Sequence, residues 1–368
     1  MADLRFQSLL GPRVVIDGRE RDYFSGTGYL GLHNHPAVRQ AAVDCIQQWG
    51  MATGTSRGGF GEHPVYDALE SAARAFFDAE RVLYSPSGYL SGLLLTGGLR
   101  GRIERVFIDA WSHFSLWDAA RAAGFTPVVF EHLDAQSLAD ALARELRPGE
   151  RPMVLSDGLF PISGEIAPAR SYLSALAGYS GGLLALDDAH GFGCLGPNGR
   201  GTLDHHGLNG APGCLAGGTL SKALGGYGGV LPGPADLLAE IETHARVGVG
   251  ASPPPLPAAA AAAKALEIAL AEPQRRRALW ENVARVRAGL RGLGWEVEDS
   301  PAPIVCLRAR AGVELGRIKD ELFARGVCIA HVRTYSSTPP GGALRIAVFA
   351  DHSAEQIERL VEGFRAVG

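Results

Sequence analysis

The sequence predicts an α/β protein: a mostly parallel sheet covered by helices, followed by a smaller α+β lobe. Three observations carry this. Short β-branched and apolar runs alternate with longer Ala/Leu/Arg-rich amphipathic stretches through the first two thirds of the chain, the rhythm of βαβ units with a sheet buried on both faces. The run Pro253-Pro254-Pro255-Leu256-Pro257 then breaks the chain and marks a lobe boundary. Beyond it the pattern changes to two long helices and a mixed tail of short strands and helices.

Composition sets the outer limits. A chain of 368 residues is long enough for two or three lobes sharing a large core. With 46% hydrophobic and 20% charged residues it reads as an ordinary globular protein. A formal net charge of -4 gives no electrostatic footprint for nucleic acid or an anionic membrane, so neither is expected as a partner. The start, Met1-Ala2-Asp3-Leu4-Arg5-Phe6-Gln7, lacks the apolar core of a secretory signal. The richest apolar stretch, Leu256 to Ala263, is Ala-dominated and stopped by Lys264, too short to span a bilayer. Cys45, Cys194, Cys214, Cys306 and Cys328 are scattered without CxxC spacing, which fits reduced thiols of a cytoplasmic protein better than disulfides or zinc. No metal is expected, because Asp204-His205-His206 and His33-Asn34-His35 have no third ligand at a metal-like spacing.

The elements follow in order. Strands are expected at Arg81–Tyr84, Val106–Ile108, Pro127–Phe130, Met153–Leu155, Leu183–Leu186 and Cys214–Ala216, with helices over Val65–Asp78, Leu116–Ala123, Ala135–Glu145 and Arg170–Ala177. After the proline run come helices from Ala258 to about Ala271 and from Arg275 to Leu293. Then come strand Ile304–Arg308, helix Leu315–Arg325, strands Cys328–Val332 and Leu344–Val348, and helix Ser353–Phe364. The chain divides into an N-terminal segment (1–48), a large domain (49–250) and a small C-terminal domain (251–368). The N-terminal segment is expected to pack with the C-terminal lobe or a second subunit.

The chemistry concentrates at strand ends, where ligands of such sheets collect. Lys222 stands in Gly217-Gly218-Thr219-Leu220-Ser221-Lys222-Ala223-Leu224-Gly225-Gly226, among small residues where a solubilising lysine has little purpose. Its amine is the group that forms a Schiff base with an aldehyde cofactor, and the glycines admit close approach. Upstream, Asp187-Asp188-Ala189-His190 follows the apolar run Leu183 to Leu186. A carboxylate at a buried strand end followed by such a lysine is what pyridoxal phosphate requires, for its ring nitrogen and its aldehyde. Asp187 could equally cap a helix and His190 be a satisfied core histidine.

Three further features carry two readings each. His113 follows the strand at Val106 and can stack on a cofactor ring or serve structure alone. Ser87, in Ser85-Pro86-Ser87-Gly88-Tyr89, opens an apolar helix whose N-terminal amides suit phosphate, or it is an ordinary N-cap. Arg345, in the apolar strand Ala343 to Val348, needs a carboxylate partner, supplied by a ligand or by an internal salt bridge.

Taken in order, these pieces resemble the α-oxoamine synthases, a subgroup of fold-type I pyridoxal-phosphate enzymes. The resemblance runs from about Arg13 to the C-terminus. It rests on Tyr29-Leu30-Gly31-Leu32, Ser87-Gly88-Tyr89, Ser112-His113, Ser156-Asp157-Gly158, Asp187 to Gly193, Gly199-Arg200-Gly201, Thr219 to Lys222 and Leu344-Arg345-Ile346. It implies a seven-stranded, mostly parallel large sheet, a small α+β domain, and a homodimer with its sites at the interface. By the same resemblance Lys222 holds the cofactor and later moves the Cα proton, Asp187 pairs with the ring nitrogen, His190 with the ring hydroxyl, and His113 stacks on the ring. Ser87, Gly88, Tyr89 and Thr219 hold the phosphate with Ser252 of a second subunit, Ser156 lies near the ring oxygen, and Arg345 binds the amino-acid carboxylate.

The implied reaction is a decarboxylating condensation of an amino acid with an acyl thioester carried by coenzyme A or acyl carrier protein. A ligase of the glycine C-acetyltransferase kind and a fold-type I aminotransferase use the same cofactor residues. The chain departs from the family at Thr27, near the substrate, where an Asn is usual, and in the proline richness of Pro253-Pro254-Pro255.

Overall fold

The computed structural model describes residues 5–247 and 249–367; residues 1–4, where the N-terminal reading began, lie outside the described residues. Thirteen strands are described: β1 (Arg13–Ile16), β2 (Arg19–Tyr23), β3 (Arg81–Ser85), β4 (Arg105–Asp109), β5 (Val128–Phe130), β6 (Pro152–Asp157), β7 (Leu183–Asp187), β8 (Cys214–Thr219), β9 (Gly229–Gly233), β10 (Ile304–Arg308), β11 (Val327–Cys328), β12 (Ala330–Val332) and β13 (Ala343–Ala347).

Seven of them form the large sheet, ordered β3-β9-β8-β7-β6-β4-β5. β9 runs antiparallel to both neighbours, and the remaining pairs are parallel. Alternation along the strands explains why both faces are buried. Phe107, Val154, Leu184 and Ala216 enter one apolar cluster, while Val106, Ile108, Met153, Leu155, Ala185 and Leu215 enter the other, as a period of two dictates. Seven strands, mostly parallel, are what the resemblance implied for the large sheet.

The sequence did not reveal β9. Its Gly-Val-Leu-Pro-Gly makeup has little strand propensity, and pairing with β3 along its length supplies what propensity lacks.

The C-terminal part holds a three-stranded antiparallel sheet, β10-β13-β12. The strand expected over Cys328–Val332 is instead two short strands in different sheets. β11 pairs in parallel with β2 of the N-terminal hairpin, and β12 pairs with β13. Asp22 ties the hairpin to the last helix, Ala354–Val367, through Arg359 at 2.6 Å and Gln356 at 2.8 Å. The Ala-rich helix Leu256–Ala271 packs where only small side chains fit: a Cβ on Gly226 would lie 2.6 Å from that of Ala262. No helix among the described residues is long and apolar enough to cross a membrane.

Candidate active site

The carboxyl ends of β3, β4, β6, β7 and β8 open on a cavity of about 190 Å³. Each strand delivers a polar group as it ends. β7 ends at Asp187, and β6 ends beside it at Asp157, its register partner. The loop after β8 brings Lys222, the loop after β4 brings His113, and the turn after β3 brings Ser87, Gly88 and Tyr89.

Lys222 Nζ lies 2.8 Å from His190 Nε2. Burial brings the amine down to about 8, against the charges of Asp187 and Asp157. Such an amine is partly free at neutral pH and able to attack a carbonyl. His190 is buried, and burial followed by the charge of Lys222 holds its imidazole well below the usual range, hence neutral.

Asp187 accepts from Ser115 Oγ at 3.2 Å and from the Ala189 amide at 3.1 Å. The adjacent Asp188 turns away from the cavity. It binds the Thr202 amide at 2.5 Å and the Thr202 hydroxyl at 2.8 Å, and burial lifts it to about 7. The structure thus separates the two neighbouring aspartates into one that faces the cavity and one that holds the following loop. A Cβ at Gly191 would stand 1.9 Å from Asp188 Oδ1, which is why glycine occupies that turn.

His113 caps the helix Phe114–Ala122. Its Nδ1 lies 2.8 Å from Ser115 Oγ and its Nε2 2.8 Å from the Tyr335 hydroxyl, while its amide reaches Asp157 Oδ1 at 3.2 Å. Burial lowers its proton affinity, opposed by Asp187.

At the other end of the cavity hydroxyls gather. Ser87 Oγ accepts from the Tyr89 amide at 3.2 Å, and Thr219 Oγ1 lies 2.6 Å from Ser221 Oγ. A Cβ at Gly88 would approach that of Thr219 to 2.5 Å, so glycine keeps this cradle open.

Arg345 is buried on β13. Its Nε donates to Pro161 O at 2.6 Å, Nη1 to Gly26 O at 3.1 Å and Nη2 to the Tyr29 hydroxyl at 2.9 Å. Among the described residues it makes no salt bridge, so the internal ion pair that the sequence left open is not formed. Its partners are neutral, and its charge reaches Lys222 and His190.

Three expected residues stand elsewhere. Ser156 is a correction: it faces Tyr172 on the other side of β6, with its hydroxyl on Asp157 O at 2.9 Å, and the next residue, Asp157, takes the place at the cavity. Ser252 lines a separate cavity with Ser85 and Pro86. Thr27 is half-buried next to Gly26 and does not line the Lys222 cavity. Conversely, Tyr29, Ser115, Asp157 and Tyr335 join the site without having been singled out for a role. For Asp157 the signal was present, because side chains alternate along a strand and its neighbour Ser156 therefore faces away.

The class of protein is now defined. A family model described as aminotransferase class I and II matches residues 25–364. The chain belongs to that family and, within it, to the pyridoxal-phosphate-dependent α-oxoamine synthases. Among its relatives, 8-amino-7-oxononanoate synthase of Methylococcus capsulatus is 37% identical over 95% of this chain and 90% of its own length. A serine palmitoyltransferase from S. paucimobilis, solved with a bound pyridoxal-phosphate–myriocin adduct, superposes with a TM-score of 0.93 at 24% identity, over 99% of this chain and 92% of that one. The 8-amino-7-oxononanoate synthase of Francisella tularensis gives a TM-score of 0.78 at 21% identity, over 94% and 96%.

Proposed function

We propose that the protein condenses an α-amino acid with an acyl thioester, with loss of carbon dioxide, to give an α-amino ketone, in the manner of 8-amino-7-oxononanoate synthase. The relatives named so support the activity. The observation that carries it to this chain is Arg345, a buried guanidinium beside the Lys222 cavity with neutral partners and, among the described residues, no carboxylate. A buried cation in that state supports binding of a carboxylate-bearing substrate.

The cavity suits pyridoxal phosphate. Hydroxyls and an open glycine cradle occupy one end, a carboxylate the other, and a partly free amine stands between them. When bound, that cofactor supplies an aldehyde for covalent capture and a ring that draws electrons from the substrate Cα.

The residues divide the work. The Lys222 amine would hold the cofactor's aldehyde, and the same amine is placed to take and return a proton at the substrate Cα. Asp187 would offer its carboxylate to a ring N–H, His190 its Nε2 to a ring oxygen, and His113 would cover the ring face. Ser87, Gly88, Tyr89 and Thr219 would hold the phosphate, and Ser252 would join them from a second subunit. Arg345 orients the carboxylate that is to be lost.

The division at residues 1–48, 49–250 and 251–368 belongs to the same reading, since Tyr29 and Arg345 close the site from the two outer parts. A homodimer is supported by Val43, Ile46 and Trp49, exposed apolar residues spaced three apart along the helix Pro36–Trp49, a spacing that gathers side chains towards one side of a helix. The cytoplasm is the proposed location.

Incubation with L-alanine and a series of acyl thioesters tests the activity. Carbon dioxide and free thiol released together support it. A keto acid formed without thiol release makes the protein an aminotransferase instead.

A further inference from the structure

Tyr29 is fully buried and its hydroxyl stands between two site residues: it accepts from Arg345 Nη2 at 2.9 Å and lies 2.8 Å from His190 Nδ1. Arginine has donors only, so Arg345 takes a lone pair of the hydroxyl and leaves its single proton for His190 Nδ1. A neutral imidazole that accepts at Nδ1 carries its own proton on Nε2. Nε2 faces Lys222 Nζ at 2.8 Å. Donation therefore runs Arg345 to Tyr29 to His190 to Lys222, and the amine at the end receives a hydrogen bond rather than giving one. If the amine were an ammonium donating to Nε2, the imidazole proton would move to Nδ1, and the Tyr29 proton would lose its acceptor in a buried site.

We propose that Tyr29 is a positioning residue: its hydroxyl fixes the His190 tautomer with the proton on Nε2, and so holds the Lys222 amine as an acceptor, linked to the arginine at the carboxylate end. This rests on the roles proposed above for Lys222 and Arg345. The surroundings agree. Asp187 and Asp157 favour the ammonium of Lys222, while burial and Arg345 oppose it. Burial, and behind it the charge of Arg345, oppose protonation of His190.

The test reads the apoenzyme. In protein labelled with ¹⁵N-histidine, with His190 signals assigned against His190→Gln, two-bond ¹H–¹⁵N spectra report which ring nitrogen carries the proton. Wild type is expected to show Nε2 protonated and Nδ1 bare, and Tyr29→Phe a mixture of tautomers. In the same variant the pH at which Lys222 becomes reactive to an acylating reagent, read by peptide mass spectrometry, is expected to rise by roughly one unit, the effect of losing one buried hydrogen bond. A wild-type His190 protonated on Nδ1 overturns the proposal whether or not the variant folds. An unchanged tautomer and an unchanged Lys222 profile in folded Tyr29→Phe overturn it too. Failure of wild type to capture pyridoxal phosphate would instead strike the function proposed above, so the two failures are distinct.

Discussion

Asp157 and Asp187 are register partners at the ends of neighbouring parallel strands, so two carboxyl groups open on one cavity. Their environments differ. Asp187 accepts two hydrogen bonds. Asp157 is buried and keeps Oδ2 without a partner, and burial, then the charge of Asp187, holds its carboxyl well above the usual range. Paired carboxyls in one site commonly divide in this way, one taking the proton and leaving the charge to its neighbour.

Substitutions should separate the pair. Asp187→Asn removes the anion proposed to face the cofactor ring and is expected to weaken pyridoxal-phosphate binding by about tenfold or more, the worth of a charge-assisted hydrogen bond. Asp157→Asn substitutes a neutral amide of the same shape for a carboxyl on which burial and Asp187 favour the proton, and should stay within about threefold. Titration of each apoenzyme with the cofactor checks this, and equal losses would contradict the division.

Arg345→Ala is expected to raise the KM for the amino acid by about 10- to 100-fold, the range for losing a charged hydrogen-bonding partner. The KM for the thioester should change little. Steady-state kinetics with each substrate varied in turn decide it, and parallel rises in both would argue against carboxylate binding at this arginine.

His352 sets an acid limit on stability. It is buried, accepts from the Phe349 amide at 2.9 Å, and burial brings its imidazole down to about 4. The unfolded chain, with an ordinary value near 6.5, therefore binds more protons between those two values. The contribution of His352 is complete above pH ~6.5 and is lost as pH falls through that window towards about 4, amounting to about 3 kcal/mol. Thermal unfolding across that range should show Tm falling with acid, and less steeply in His352→Gln.

The parallel strands were legible because each is an apolar run punctuated by polar groups, as in Leu183 to Asp187. β9 was hidden because pairing, not propensity, makes it a strand. The split of Cys328–Val332 was hidden because two sheets claim one apolar run, a tertiary fact. Lys222, Asp187 and His113 could be singled out because each breaks an apolar or glycine-rich context at a strand end. Tyr29 could not, since an aromatic in an apolar motif reads as core until Arg345 and His190 are seen on its hydroxyl. Ser252 lines a cavity other than that of Lys222, with Ser85 and Pro86, a placement that its flanking prolines do not reveal.

The covalent site of the cofactor is the most direct test. The chain contains three lysines, Lys222, Lys264 and Lys319, of which Lys264 is paired with Glu267 on a helix. Protein mixed with pyridoxal phosphate, reduced with borohydride, digested and read by mass spectrometry should carry the label on the Lys222 peptide. Lys222→Ala should fold, remain colourless and lose activity. A wild-type protein that takes up no label, or takes it up only on Lys264 or Lys319, would contradict the assignment on which the proposed chemistry depends.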